Sequence, residues 1–141
     1  MKPSFFDIPS DIEESRKENK YFFIMFQQEG CPFCEKMRRV TFQNKKVKEF
    51  FTKNFYMIEI NIKGSVPVID VDGKEYTEKE FSLKYGARST PFFVFYDKEG
   101  KVILKLPGYY GPEDFLLIGR YIVEEHYKKE SLPAFLKRIK K

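Results

Sequence analysis

Apolar residues fall along this chain in short blocks separated by charged ones, and the spacing within each block predicts its backbone. "YFFIMF", Tyr21 to Phe26, is uninterrupted and rich in aromatic and β-branched residues, as expected of a strand covered on both faces. "FYMIEINI", Phe55 to Ile62, reads as a second strand. "PFFVFYD", Pro91 to Asp97, and "KVILKLPG", Lys101 to Gly108, predict two more, joined through Lys98-Glu99-Gly100 into an antiparallel hairpin. A further hairpin is expected between Gly64 and Glu75, where Asp72-Gly73 separates alternating residues.

Helices are expected between these blocks. Ser10 followed by Glu13 reads as a capping box and places a helix from Asp11 to about Asn19. "CEKMRRVTF" and "KKVKEFFTKNF" predict helices from Cys34 to about Val40 and from Lys45 to Asn54, with Phe42-Gln43-Asn44 as the break. Thr77 and Glu80 form another capping box, with Gly86 as the stop. Pro112 opens a long helix through about Tyr127, and Ser131 caps a short terminal one. The order predicts an α/β chain: a mixed sheet with helices on both faces, in one domain spanning residues 1–141.

The composition suits one core filled with rings: 42% of the 141 residues are hydrophobic, with 16 Phe, 9 Tyr and no Trp. Net charge is +5, but the 26 basic and 21 acidic residues are interspersed except at the basic end Leu136 to Lys141. No basic stripe interleaved with aromatics emerges, so a solvated surface is expected and a nucleic-acid partner is not. No run approaches the ~18 apolar residues of a membrane span, and Met1 to Glu14 lacks the ~7–15-residue apolar centre of a secretory leader. The chain reads as soluble; a leader removed before Met1 is compatible with this.

The chemistry sits in "QQEGCPFCEKMRR", which holds both cysteines, Cys31 and Cys34, with Pro32 and Phe33 between them. A tetrahedral metal site or an iron–sulfur cluster needs four ligands, and only His126 could add to the pair. No metal and no other cofactor is therefore expected. A structural disulfide closing so short a loop would stabilise little. Reversible closure at a helix start fits better: amides and dipole there favour a thiolate at Cys31, the nucleophile, while Cys34, one turn inside, resolves the mixed disulfide. Lys36, Arg38 and Arg39 help the thiolate; Glu29 and Glu35 oppose it.

Strand-then-"CPFC", "EFSLKYGARSTPFFVFYDKEGKV" and Gly108 at the end of the following strand together resemble the thioredoxin superfamily. The resemblance implies a three-layer sandwich with a hairpin insert before a cis-proline, Pro91, that faces the cysteines. It implies that the backbone of Thr90 pairs with an extended substrate segment. The insert "GSVPVIDVDGKEYTEKEFSLKYG" and "LPGYYGPEDFLLIGRYI" are similar to the periplasmic SoxW-like thioredoxins of sulfur oxidation. "RRVTFQNKKVKEFF" resembles, more distantly, the C-terminal domain of DsbD. These likenesses imply a periplasmic protein-disulfide reductase, with a cytoplasmic location as the alternative; a monomer is expected. Its partners would be a disulfide-containing protein and a membrane-embedded donor of the DsbD or CcdA type.

Two positions depart from the superfamily pattern. Gly30 replaces the Trp before the first cysteine, and Met25 replaces the buried acid six residues before it. Glu59 on the neighbouring strand is a candidate to accept the proton of Cys34 in its place, or else a solvent-facing carboxylate. Pro32, Phe33, Thr90, Pro91, Gly108 and Tyr109, with Tyr110 beside them, are the expected substrate-contacting set. Two alternatives stay open. Pro32-Phe33 also resembles glutaredoxins, although "FFVFYDKEGK" lacks their Gly-Gly-x-Asp segment. A thioredoxin-like binding module with idle or regulatory cysteines is the other.

Overall fold

The computed structural model describes residues 4–140; Met1 to Pro3 and Lys141 of the basic end lie outside them. In chain order the strands and helices are β1 (Phe6–Asp7), α1 (Ile8–Lys17), β2 (Tyr21–Gln27), α2 (Pro32–Lys36), a π-helical turn (Met37–Thr41) and α3 (Lys45–Asn54). There follow β3 (Phe55–Asn61), β4 (Pro67–Ile69), β5 (Glu75–Thr77), α4 (Glu78–Lys84), β6 (Phe92–Tyr96) and β7 (Val102–Pro107). The chain closes with α5 (Pro112–Val123), a 3₁₀ turn (His126–Lys128) and α6 (Leu132–Ile139).

The main sheet has the order β3-β2-β6-β7. β2 runs parallel to β3, with Tyr21 opposite Phe55, and antiparallel to β6, with Phe22 opposite Tyr96. Side-chain alternation along β2 then builds two cores. Tyr21, Phe23 and Met25 pack with Met37, Phe51, Phe115, Ile118 and Phe135 on one face. Phe22, Ile24 and Phe26 pack with Ile8, Ile12, Phe81 and Tyr85 on the other. Helices on both faces make the expected three-layer α/β sandwich and explain why β2 is apolar at every position from Tyr21 to Phe26. The Phe51 ring stacks on Phe55 at 4.7 Å and on Phe115 at 4.8 Å. α5 lies so close to α3 that a Cβ at Gly119 would meet the Phe50 and Phe51 rings at 2.8 Å. Each fully buried Phe contributes up to about 3 kcal/mol.

The hairpin insert departs from the expectation of a single sheet. β4 and β5 pair antiparallel, but β1 adds in parallel on the outer side of β4, so the insert belongs to a separate three-stranded sheet, β1-β4-β5. Two residues carry no period, so Phe6–Asp7 gave no strand signal. This small sheet is tied to α4 by buried charge. Asp70, fully buried, accepts from the Tyr85 hydroxyl at 2.9 Å and from Lys84 at 2.6 Å. The Glu78 carboxylate accepts the Asn61 and Val66 amides at 2.9 and 3.2 Å. Burial pushes the Tyr85 hydroxyl up to about 12.

Helix ends also differ from expectation. α1 starts at Ile8 rather than Asp11, because Asp7 caps it by accepting the Ser10 amide at 3.1 Å. Ile8 is fully buried, and drawing it into the helix leaves Ser10 inside, where its box with Glu13 does not form. α2 begins at Pro32 rather than Cys34, since Cys31 itself is the cap. α5 stops at Val123, four residues before Tyr127, where Glu125 takes a left-handed φ of 61°. The Thr77–Glu80 box forms as expected, and Ser131 caps α6. No helix among the described residues is long and apolar enough to cross a membrane.

Candidate functional site

β2 ends at Gln27, and the chain reverses through Glu29 and Gly30 into the cysteine pair. Gly30 has φ +73°, a left-handed value that a Trp would hold only under strain. Cys31 occupies the N-cap of α2, and its Sγ accepts the Cys34 amide at 3.1 Å. Pro32 follows in the first turn, where a missing N–H costs nothing. The two cysteines form a disulfide with Cα atoms 5.3 Å apart. Cys34 is fully buried, whereas Cys31 keeps 8% exposure, so an incoming group can reach only Cys31.

The loop after α4 supplies the opposite wall. Thr90-Pro91 is a cis peptide, and the Thr90 hydroxyl donates to Cys31 Sγ at 3.2 Å. Gln28 Nε2 donates in turn to Thr90 Oγ1 at 3.1 Å. Among the described residues neither backbone polar group of Thr90 has a hydrogen-bond partner. Gly108, at φ +94°, donates its amide to the Pro91 carbonyl at 2.8 Å, which places the end of β7 beside this loop.

The aromatic residues separate. Phe33 is 55% exposed on the turn, and its ring lies 6.1 Å from that of Tyr109. Lys36 Nζ sits 4.7 Å over the Tyr109 ring. Tyr110 turns toward the core, 6.5 Å from Phe93, and burial raises its hydroxyl's pKa. The π-helical turn carries buried Thr41, which donates to the Tyr110 carbonyl at 2.7 Å and so ties the helix below Cys34 to the rim.

Glu59 stands opposite Met25 in the parallel pair, on the face that holds Cys34. Its carboxylate accepts from Arg38 at 2.7 Å, and Arg38 also binds Glu35 at 2.7 Å. The hydrogen bond to Glu59 holds the Arg38 guanidinium more firmly protonated. Arg38 is therefore committed to carboxylates rather than to the thiolate it was expected to assist. No group of three or more potential metal ligands exists among the described residues. Cys31, Cys34 and Thr90 thus meet at one sulfur, with Pro91 and Gly108 adjoining and Phe33 and Tyr109 forming a rim. Gln28 and Thr41 were not anticipated: both lie in stretches singled out for other residues, and only the fold brings them to residues 62 and 69 positions away.

Comparison with known proteins agrees with this geometry. A family model described as a thioredoxin-like domain matches residues 8–122. No curated protein matches the sequence. Among solved structures, a thioredoxin-fold protein from Helicobacter pylori is 26% identical, with a TM-score of 0.69 over 86% of this chain and 81% of that one. The oxidoreductase DsbH is 19% identical, with a TM-score of 0.60 over 89% of this chain and 85% of its own. The oxidised C-terminal domain of DsbD from Neisseria meningitidis is 15% identical, with a TM-score of 0.56 over 79% and 93%.

Proposed function

The chain belongs to the thioredoxin-like domain family, and on that premise we propose that it is a thiol–disulfide oxidoreductase that reduces disulfides of partner proteins. The observation that carries this reading is the convergence on one sulfur: Cys31 Sγ, the more exposed sulfur of the disulfide, receives the Cys34 amide and the Thr90 hydroxyl. Two donors aimed at sulfur stabilise a thiolate more than a thiol.

In the reduced protein the Cys31 thiolate attacks a substrate disulfide. One S–S bond breaks, a mixed disulfide forms, and the released substrate sulfur takes a proton. Cys34 then gives up its proton and attacks Cys31 Sγ. The second substrate thiol leaves, and two electrons have passed from the dithiol to the substrate. Buried Cys34 meets no external disulfide, which makes the order obligatory. Thr90 offers its free N–H and C=O to an extended substrate segment. Pro32, Phe33, Pro91, Gly108 and Tyr109 line its path. Glu59 is the proposed acceptor of the Cys34 proton, with Arg38 holding the carboxylate in place. Unchanged turnover of Glu59→Gln between about pH 6 and 9 would remove it from the mechanism.

The dithiol has to be restored by a donor outside the chain. We take this to be a membrane-embedded carrier of the DsbD or CcdA type, acting on a monomer in the periplasm as in SoxW-type sulfur oxidation. The likeness in fold to the DsbD domain and to DsbH supports the comparison. The test is the reduction potential of the Cys31–Cys34 pair in defined thiol buffers. A value near about −270 mV is expected; one near about −120 mV would make the protein an oxidant, and a pair that does not cycle would overturn the reading.

A further inference from the structure

We propose that Gln28 is a positioning residue for the nucleophile: its amide fixes the rotor of the Thr90 hydroxyl so that the hydroxyl proton points at Cys31 Sγ. The inference rests on Cys31 being the attacking thiol and goes beyond that reading by assigning a residue that never touches sulfur.

A threonine hydroxyl has one proton and two lone pairs, and rotation about Cβ–Oγ decides where the proton goes. Gln28 Nε2 lies 3.1 Å from Thr90 Oγ1, and the amide can only donate through that nitrogen. One lone pair is thereby occupied by Gln28, and the proton is left for the sulfur 3.2 Å away. The chain Gln28 to Thr90 to Cys31 runs in one direction and ends on the atom that must carry negative charge. Hydrogen bonds in series polarise one another, so the last donor is strengthened by the first. Gln28 is half-buried just past the end of β2, while Thr90 belongs to the loop after α4. The same contact therefore also sets the spacing between the two walls of the site.

The opposite orientation of the Gln28 amide would present Oε1 to Thr90 and take its proton away from sulfur. Removing the side chain would then favour the thiolate instead of weakening it. The sign of the Gln28→Ala effect separates the two arrangements.

The experiment follows alkylation of Cys31 by iodoacetamide against pH in fully reduced protein, with the modified residue identified by mass spectrometry. Gln28→Ala, Thr90→Val and the double variant are compared with the parent. Each variant's circular dichroism is checked first, and Gln28→Asn serves as a second, milder change. Gln28→Ala should alkylate about three- to tenfold more slowly near pH 6, through a raised thiol pKa rather than a changed limiting rate. Thr90→Val should lose at least as much, and the double variant should match Thr90→Val, because Gln28 acts only through the hydroxyl. A faster Gln28→Ala, an unchanged one, or additive losses in the double variant would overturn the proposal. The measurement needs no disulfide substrate, so failure of the reductase assignment and failure of the relay are told apart.

Discussion

Two short helices in this chain begin in the same way and do different work. α2 is capped by Cys31, whose sulfur accepts the Cys34 amide at 3.1 Å; α4 is capped by Thr77, whose oxygen accepts the Glu80 amide at 3.1 Å. At α4 the arrangement closes on itself, since Glu80 reaches back to the Thr77 amide at 2.8 Å. Both side chains of that box are satisfied, and what results is stability. At α2 the capping atom keeps a further demand, a covalent partner or a negative charge, and a second element supplies Thr90 to meet it. Cap geometry is thus common to both, and reactivity depends on the capping atom and on what the rest of the fold aims at it.

The comparison is broken most severely by exchanging the atom. Cys31→Ser keeps a good N-cap, so the fold should remain within about 1 kcal/mol of the reduced parent. Turnover in a thiol-driven insulin reduction assay should nevertheless vanish; residual turnover would mean that Cys34 can act alone, against its burial. Next in size is the α4 start. Glu78 is buried beside Thr77 and binds two backbone amides with one carboxylate. Glu78→Gln leaves one oxygen for two donors and should cost about 2 kcal/mol in urea unfolding, with Cys31 alkylation within about twofold of the parent. A large change in alkylation there would show that the insert controls the thiol. Thr77→Ala is milder: about 1 kcal/mol of stability and no change in turnover.

Much of this was readable beforehand where one residue type has one local use. The Thr77–Glu80 box, the Asn54-to-Phe55 change from helix to strand, and the apolar run of β2 each declare themselves within a few positions. The Cys31–Cys34 pair did so too, because the chain offers too few further ligands for a metal and the loop is too short for a useful staple. What escaped was settled at a distance. Ser10 with Glu13 looked like the cap of the first helix, yet Asp7 caps it and Ile8, fully buried, lies inside the helix. Asp70, two residues before the Asp72-Gly73 turn, carries no local signal of its place, yet it is fully buried against Lys84 and Tyr85. Gln28 stands only three residues before Cys31, but its partner Thr90 lies in another loop, 62 positions away.

A third helix start sharpens the comparison with the smallest effect. α1 is capped by the carboxylate of Asp7, and Asp11 lies in its first turn. A negative charge there is usually favourable because of the helix dipole. Here burial first, then Asp7 and Glu14, push the Asp11 carboxyl up from 3.8 to about 6. Between these two values the folded protein holds a proton that the unfolded chain has released, so this group's contribution to stability falls as pH rises through the window. Asp11→Asn should therefore raise stability at pH 7 by about 1 kcal/mol or less, since Asp11 is only half-buried and solvent screens it. At pH 3, where Asp11 is protonated in both states, the gain should disappear. Urea midpoints of parent and variant at the two pH values measure this directly. A variant less stable than the parent at pH 7 would mean that the dipole outweighs the crowding of acids, and α1 would then stand with α4 as a start whose charges all favour the fold.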